Sequence, residues 1–210
     1  MLVARMMYPV RTLGPGERLV IWVCGCNRRC RNCANPELQH FDIDRDIPVE
    51  TLMGIIREIC TDNPEIAGLT ISGGEPFEQP YELAQLLASL PSQLRDVLIY
   101  SGYTLEQLQN KHIAAIEYVL AHVWVLIDGE YVDELNDGHP LRGSRNQCIH
   151  YLNPDAETSY SAYIASHSAN IQNFLTEDAM FSVGIHQQGF TSDLQMRMAK
   201  KGCHHVTAGE

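Results

Sequence analysis

Residues 18–33 read RLVIWVCGCNRRCRNC, a short run that passes without interruption into four cysteines, Cys24, Cys26, Cys30 and Cys33. A continuous, mostly apolar run of six residues is the pattern of a strand buried on both faces of a parallel sheet. The cysteines therefore stand on the loop at the C-terminal end of that strand. The same pattern recurs three times downstream. Gly68 to Ser72 (GLTIS) runs into Gly73-Gly74-Glu75-Pro76, Asp96 to Tyr100 (DVLIY) into Ser101-Gly102-Tyr103, and Val123 to Ile127 (VWVLI) into Asp128-Gly129.

Helical periods separate these runs. Pro48 to Cys60 places Leu52, Ile55, Ile56 and Ile59 at i, i+3, i+4 and i+7, and Asn63-Pro64 supplies a stop. A second helix is expected over about residues 80–90, with Leu83, Leu86, Leu87 and Leu90 on one face, and further helical sequence reaches Ala121. Repeated βα units define the α/β class and carry all strand C-termini to one face. The cysteine loop, the Gly-Gly-Glu segment, Ser101-Gly102-Tyr103 and Asp128-Gly129 would then line one mouth. The repeat is too short for a complete eight-stranded barrel, which takes roughly 250 residues. The expectation is a partial (β/α)6-type barrel, splayed open.

The character changes near Asn153. The stretch NPDAETSYSAYIASHSANIQN is polar and shows no strong period. Beyond it we expect a hairpin turning at Thr176-Glu177-Asp178 and a short helix over Ser192 to Lys201, ended by Gly202. The organisation expected is a core domain over 1–152 and an extension over 153–210 packed on it.

With 26 Asp+Glu against 15 Lys+Arg, the chain lacks the positive field that nonspecific nucleic-acid binding needs. Neither a secretory leader nor a run of about 18 uncharged apolar residues is visible, so no membrane partner and a cytoplasmic location are expected. In that compartment thiols stay reduced, and clustered cysteines bind metal or do redox chemistry more often than they form disulfides.

Cys26, Cys30 and Cys33 form CxxxCxxC. Three thiolates on one loop suit three irons of a 4Fe-4S cluster and leave the fourth iron open. A structural zinc site would want a closed set of four ligands, the fourth drawn from Cys24, Cys60, Cys148, Cys203 or a histidine. Spacing leaves both readings open. Cys60 lies on the apolar side of its helix and reads as core, Cys148 reads as a strand residue, and Cys203-His204-His205 is a tail that favours disorder over a metal site.

CxxxCxxC directly after the first such strand, with a later strand ending in Gly73-Gly74-Glu75-Pro76, resembles the radical S-adenosylmethionine superfamily. Within it the chain is most similar to the activating proteins of anaerobic ribonucleotide reductases. The matching blocks are Tyr8-Pro9-Val10, Gly14-Pro15-Gly16, Gly25-Cys26, Cys33 with Asn35, Ser101-Gly102-Tyr103, Val125 to Gly129, Tyr131-Val132 and Arg142-Gly143-Ser144 with Asn146-Gln147. The likeness spans about residues 6–151.

This resemblance implies a 4Fe-4S cluster and S-adenosylmethionine as cofactors, with Cys26, Cys30 and Cys33 as cluster ligands. It implies that Gly73, Gly74 and Glu75, flanked by Ser72 and Pro76, meet the methionine end of S-adenosylmethionine with Ser72 as a further cofactor-binding candidate, and that Asn32, a cofactor-binding candidate near the adenine, stands where an aromatic residue is common. Ser101 and Asp128 are candidates as polar residues at strand ends, although each alone could cap a helix; Asp128 is also a candidate for a monovalent cation. Ala34 replaces a common tyrosine, and Glu130 a lysine. Arg28, Arg29 and Arg31 either offset cluster charge, meet an acidic donor, or are solvated loop charges. Arg142 to Gln147 (RGSRNQ) either meets a partner's glycine loop or is a surface connection.

The chemistry implied is one-electron cleavage of S-adenosylmethionine to a 5'-deoxyadenosyl radical, which takes a hydrogen atom from a glycine of a partner glycyl-radical enzyme. A flavodoxin or ferredoxin type donor would supply the electron. Two other readings stand beside it: a radical enzyme acting on a peptide or small molecule, and a noncatalytic iron-sulfur or zinc protein.

Overall fold

The computed structural model describes residues 1–176 and 179–200. Its core elements are β1 (Val3–Val10), β2 (Arg18–Val23), α1 (Val49–Asp62), β3 (Gly68–Gly73), α2 (Pro80–Ser89), β4 (Val97–Ser101), α3 (Leu105–Gln109), α4 (Ala114–His122), β5 (Val125–Asp128) and β6 (Cys148–Tyr151). The six strands pair in chain order as one sheet. β2 to β5 run parallel, and these are the four strands legible in the sequence. β1 and β6 close the two edges antiparallel. The class is thus α/β with a mostly parallel sheet. The first strand of the sheet lies in residues where no strand was expected.

Alternation along each strand divides the side chains between two covered faces. Leu19, Ile21, Val23, Leu69, Ile71, Val97, Ile99 and Leu126 pack with Leu52 and Ile56 of α1, Leu83 and Leu86 of α2, and Ile116 and Val119 of α4. On α1 the buried stripe is Val49, Leu52, Met53, Ile56 and Cys60, while Ile55 is 38% exposed. The face is rotated from the one expected, because Val49, Met53 and Cys60 continue it in place of Ile55.

On the opposite face stand Val20, Trp22, Leu98, Val125 and Ile127. The chain beyond β6 meets that face with α5 (Ala156–Ser166) and the hairpin β7 (Ile171–Leu175) and β8 (Met180–Gly184), and the last described element is α6 (Phe190–Lys200). The stretch read as lacking a period is therefore a helix. Its buried residues Ala156, Tyr160 and Tyr163 fall at i, i+4 and i+7 and pack against Leu98, Val125 and Ile127. Val183 of β8 joins Val20 and Trp22. Hydrogen bonds tie the hairpin to the chain just after β1, from Arg11 N to Gln172 Oε1 (2.9 Å) and from Thr12 Oγ1 to the carbonyl of Val183 (2.9 Å). The hairpin is as expected. Glu177 and Asp178 of the expected turn, Lys201 and Gly202 of the expected helix end, and Cys203-His204-His205 lie outside the described residues.

Arg18, fully buried, fastens α5 to the sheet. Its guanidinium donates to Asp96 Oδ2 at 3.0 Å, to the Leu69 carbonyl at 2.8 Å and to Thr70 Oγ1 at 2.7 Å, while Tyr160 OH donates to Asp96 Oδ1 at 2.6 Å. A buried charge is tolerable only when it is paired and its donors are satisfied, and here the partners come from β3, from Asp96 just before β4 and, through Asp96, from α5. No helix among the described residues is long and apolar enough to cross a membrane.

Candidate functional site

The cysteine loop leaves β2 at Val23. Cys24 N donates to the Leu2 carbonyl, Gly25 N to Leu38 and Cys26 N to Gln39, so the base of the loop is held before the thiols are reached. From the neighbouring strand end, Gly74 N donates to the Val23 carbonyl (2.8 Å) and Glu75 N to the Gly25 carbonyl (2.9 Å). These two bonds lock the Gly-Gly-Glu segment against the start of the cysteine loop. Both glycines are required by that approach. A Cβ on Gly73, whose φ is +114°, would lie 2.3 Å from Val23 O, and one on Gly74 would lie 2.5 Å from Gly25 O.

The Glu75 carboxylate is buried and turned back into the protein. Oε1 accepts from Phe77 N and Ser101 Oγ (both 3.0 Å), and Oε2 from Gly102 N (2.7 Å). Burial pushes its pKa up to about 7, against the opposing pull of those three donors. Ser101 also accepts from Tyr103 N at 3.1 Å. Ser101 pairs in register with Asp128, whose Oδ2 accepts from Leu105 N at 2.5 Å. The expected row of strand-end residues is thus assembled: Gly73 to Glu75, Ser101 and Asp128 occupy adjoining ends of β3, β4 and β5. Ser72 lies one residue inside β3, half-buried and opposite Trp22.

An acidic segment after β5 meets the basic cysteine loop. Arg28 Nη2 lies 3.3 Å from Glu130 Oε2, with its guanidinium over the Tyr103 ring, and Arg31 lies 3.8 Å from Glu134 with both side chains exposed. Asn32 is exposed and donates to Asp133 Oδ2 at 3.0 Å. The charge of Glu130 is thereby met by Arg28. Arg142 to Gln147 braces this segment from behind: Gln147 accepts from Gly143 N and Ser144 N and donates to the Gly129 carbonyl, and Ser144 Oγ accepts from Val132 N.

Cys26 is buried, while Cys30 and Cys33 are partly so. Burial raises the pKa of Cys26, and pushes that of Cys30 up to about 11 although the backbone N–H of Tyr131 donates to it. Among the described residues, the one group of three or more His, Cys, Asp and Glu ligand atoms lying within 4.8 Å of one another is elsewhere, at Asp128, Cys148 and His150. Three thiols on one loop suit ligation of separate irons of a cluster. Cys24 and Cys60 lie inside apolar clusters and offer no fourth ligand. The Arg28 Nε is buried without a hydrogen-bond partner at the lip of the loop, beside Gly102. Such a donor suits an anionic group that the protein alone does not provide. The residues present fit a 4Fe-4S cluster.

Sequence reading missed the Arg28–Glu130 pairing and the Tyr131 contact with Cys30. Both join segments about a hundred positions apart, and the opposite charges of the two loops were the one visible sign.

A parallel sheet whose strand ends carry an open three-thiol loop defines an iron-sulfur protein of the α/β class. The model of the 4Fe-4S single cluster domain matches residues 12–150, and the chain belongs to that family. It is 31% identical over 150 residues to the anaerobic ribonucleoside-triphosphate reductase-activating protein of Vibrio cholerae, covering 68% of this chain and 94% of the relative. The protein of the same name from Salmonella typhimurium is 29% identical over 153 residues, covering 69% and 96%, and that of enterobacteria phage T4 is 28% identical over 138 residues, covering 64% and 83%.

Proposed function

We propose that this chain is a radical S-adenosylmethionine enzyme that generates a glycyl radical on an anaerobic ribonucleotide reductase, with a flavodoxin or ferredoxin type protein as electron donor. In this reading the sheet is the wall of a partial barrel, residues 1–152 form the catalytic core, and 153–210 form an extension. The observation that carries it is the double backbone lock between the cysteine loop and the Gly-Gly-Glu strand end, which supports reading the two segments as one site. The names of the relatives support the partner.

Cys26, Cys30 and Cys33 would hold the cluster, and the backbone of Ser72 to Glu75 would hold the methionine end of S-adenosylmethionine. When bound, these groups supply the one-electron chemistry that removes a hydrogen atom from carbon. The protein supplies orientation. Glu75 acts as a bracket: by accepting from Ser101 and Gly102 it fixes the end of β4 to the end of β3. Asp128 does the same for the start of α3 through Leu105 N. Arg28, stacked on Tyr103 and paired with Glu130, keeps its Nε buried beside Gly102, and Asn32 pairs with Asp133 at the outer lip.

A second reading, a peptide or small molecule as the target of the radical, is favoured by one observation. The family match ends at residue 150, while α5 and the hairpin beyond it pack on the sheet face opposite the helices.

The test is anaerobic. Cluster-loaded protein, given a reductant and S-adenosylmethionine, is expected to form 5'-deoxyadenosine. Cys30→Ala is expected to lose most of its iron and all of that product. Full product formation by Cys30→Ala would refute the assignment.

A further inference from the structure

The antiparallel pairing of β5 with β6 sets Asp128 opposite Cys148 and Leu126 opposite His150. Strand alternation then puts Asp128, Cys148 and His150 on the same face, at one end of the ladder. Their ligand atoms lie within 4.8 Å of one another. The Asp128 side chain is 5% exposed and that of His150 31%, while Cys148 opens to solvent.

Within that cluster His150 Nε2 lies 2.9 Å from Asp128 Oδ2, a contact that is an ion pair if the imidazole is protonated and that lacks the geometry of a hydrogen bond. With a neutral imidazole, the nitrogen and the carboxylate oxygen are two close lone-pair donors that a shared cation would satisfy. Oδ2 already accepts from Leu105 N, which holds the carboxylate in place as the partner of a metal ligand usually does.

We infer that Asp128, Cys148 and His150 bind one divalent transition-metal ion, with zinc the ion that the donor set fits best. Thiolate, imidazole and carboxylate together are the ligands of a borderline-soft cation and exclude magnesium and calcium, which take oxygen. Three protein donors leave a fourth position, and the exposure of Cys148 turns that position to solvent. On binding, the Cys148 thiol releases its proton to solvent, and His150 binds as neutral imidazole. The ion would clip the edge strand β6 to β5, in the row of strand ends that includes Ser101. The site shares Asp128 with the strand-end row but uses no residue of the cysteine loop, and zinc binding is read without the cluster's chemistry or S-adenosylmethionine, so its failure and that of the proposed function are distinguishable.

The experiment uses the full chain, loaded anaerobically with its iron-sulfur cluster, then given zinc and desalted. Metal analysis is expected to show one zinc per chain with iron unchanged. X-ray absorption at the zinc edge should show one sulfur at about 2.3 Å and the remaining ligands, nitrogen and oxygen, at about 2.0–2.1 Å. Cys148→Ser is expected to lose the sulfur shell, and His150→Ala to lower zinc affinity at least tenfold. Both variants should retain iron, which reports that the sheet and the cysteine loop remain folded. Three results would overturn the site: no zinc retained by iron-replete protein, zinc surrounded by several sulfurs with iron lost, or zinc bound equally by both variants.

Discussion

At the scale of single residues, Glu75 carries an electrostatic signature. Its pKa of about 7 in the folded chain stands above the ordinary 4.5, because burial disfavours the charge. Between those values the folded state holds a proton that the unfolded state has released. The stability this gives is fully present below pH 4.5 and is lost as pH rises through 7. Denaturation midpoints should therefore fall between pH 5 and pH 8, with Glu75 contributing on the order of 1–3 kcal/mol. Glu75→Gln should flatten that fall and lower stability at pH 5, since an amide offers one acceptor oxygen to donors that now meet two. A variant as pH-dependent as the parent would show that the carboxyl is not the group titrating. Gly74 makes a geometric prediction. A methyl group there meets the backbone oxygen of Gly25 at 2.5 Å, and backbone cannot swing aside as a flexible side chain can. Gly74→Ala should cost roughly 1–3 kcal/mol and reduce the iron retained after reconstitution, as read by denaturation and metal analysis.

Elements were legible in proportion to how fully they are buried. The strands β2 to β5 are covered on both faces, so their runs are continuous and stood out, as did α1 and α2 with their leucine and isoleucine stripes. β1 is an edge strand, half-buried along most of its length, and its sequence VARMMYPV mixes Arg5 and Pro9 with apolar residues. α5 hides its period for another reason: its buried face is one alanine and two tyrosines among serines, a stripe that looks polar in a hydropathy pattern. Those tyrosines are nonetheless anchors. Tyr160 OH donates to the Asp96 carboxylate that also pairs with Arg18, and Tyr163 OH donates to the Arg11 carbonyl. Removing a hydrogen bond to a charged group costs about 1.5–3 kcal/mol. Tyr160→Phe should lower stability by that amount in chemical denaturation and make α5 the first segment to exchange its amide hydrogens. A loss below about 0.5 kcal/mol would mean that packing alone holds the helix.

For the whole molecule, the candidate site was legible as motifs and illegible as contacts. CxxxCxxC and the Gly-Gly-Glu strand end could be read off the chain because each is a local pattern. Their mutual lock, the salt bridge from Arg28 to Glu130 and the Asp128–Cys148–His150 cluster depend on which strand lies beside which, and that is decided by the sheet. The sheet also decides what the extension does. By covering Val20, Trp22, Leu98, Val125 and Ile127, α5 and β8 complete a second apolar layer on one face, while the strand-end row with the cysteine loop lies at the C-terminal ends of the parallel strands. The central claim is that this row serves radical transfer to a glycine of a partner enzyme. Its most direct test is electron paramagnetic resonance on an anaerobic mixture of cluster-loaded protein, reductant, S-adenosylmethionine and the anaerobic ribonucleotide reductase of the same host. The account predicts a glycyl doublet on the reductase that is absent when Cys30→Ala replaces the parent protein; formation of 5'-deoxyadenosine with no doublet on the reductase would contradict it.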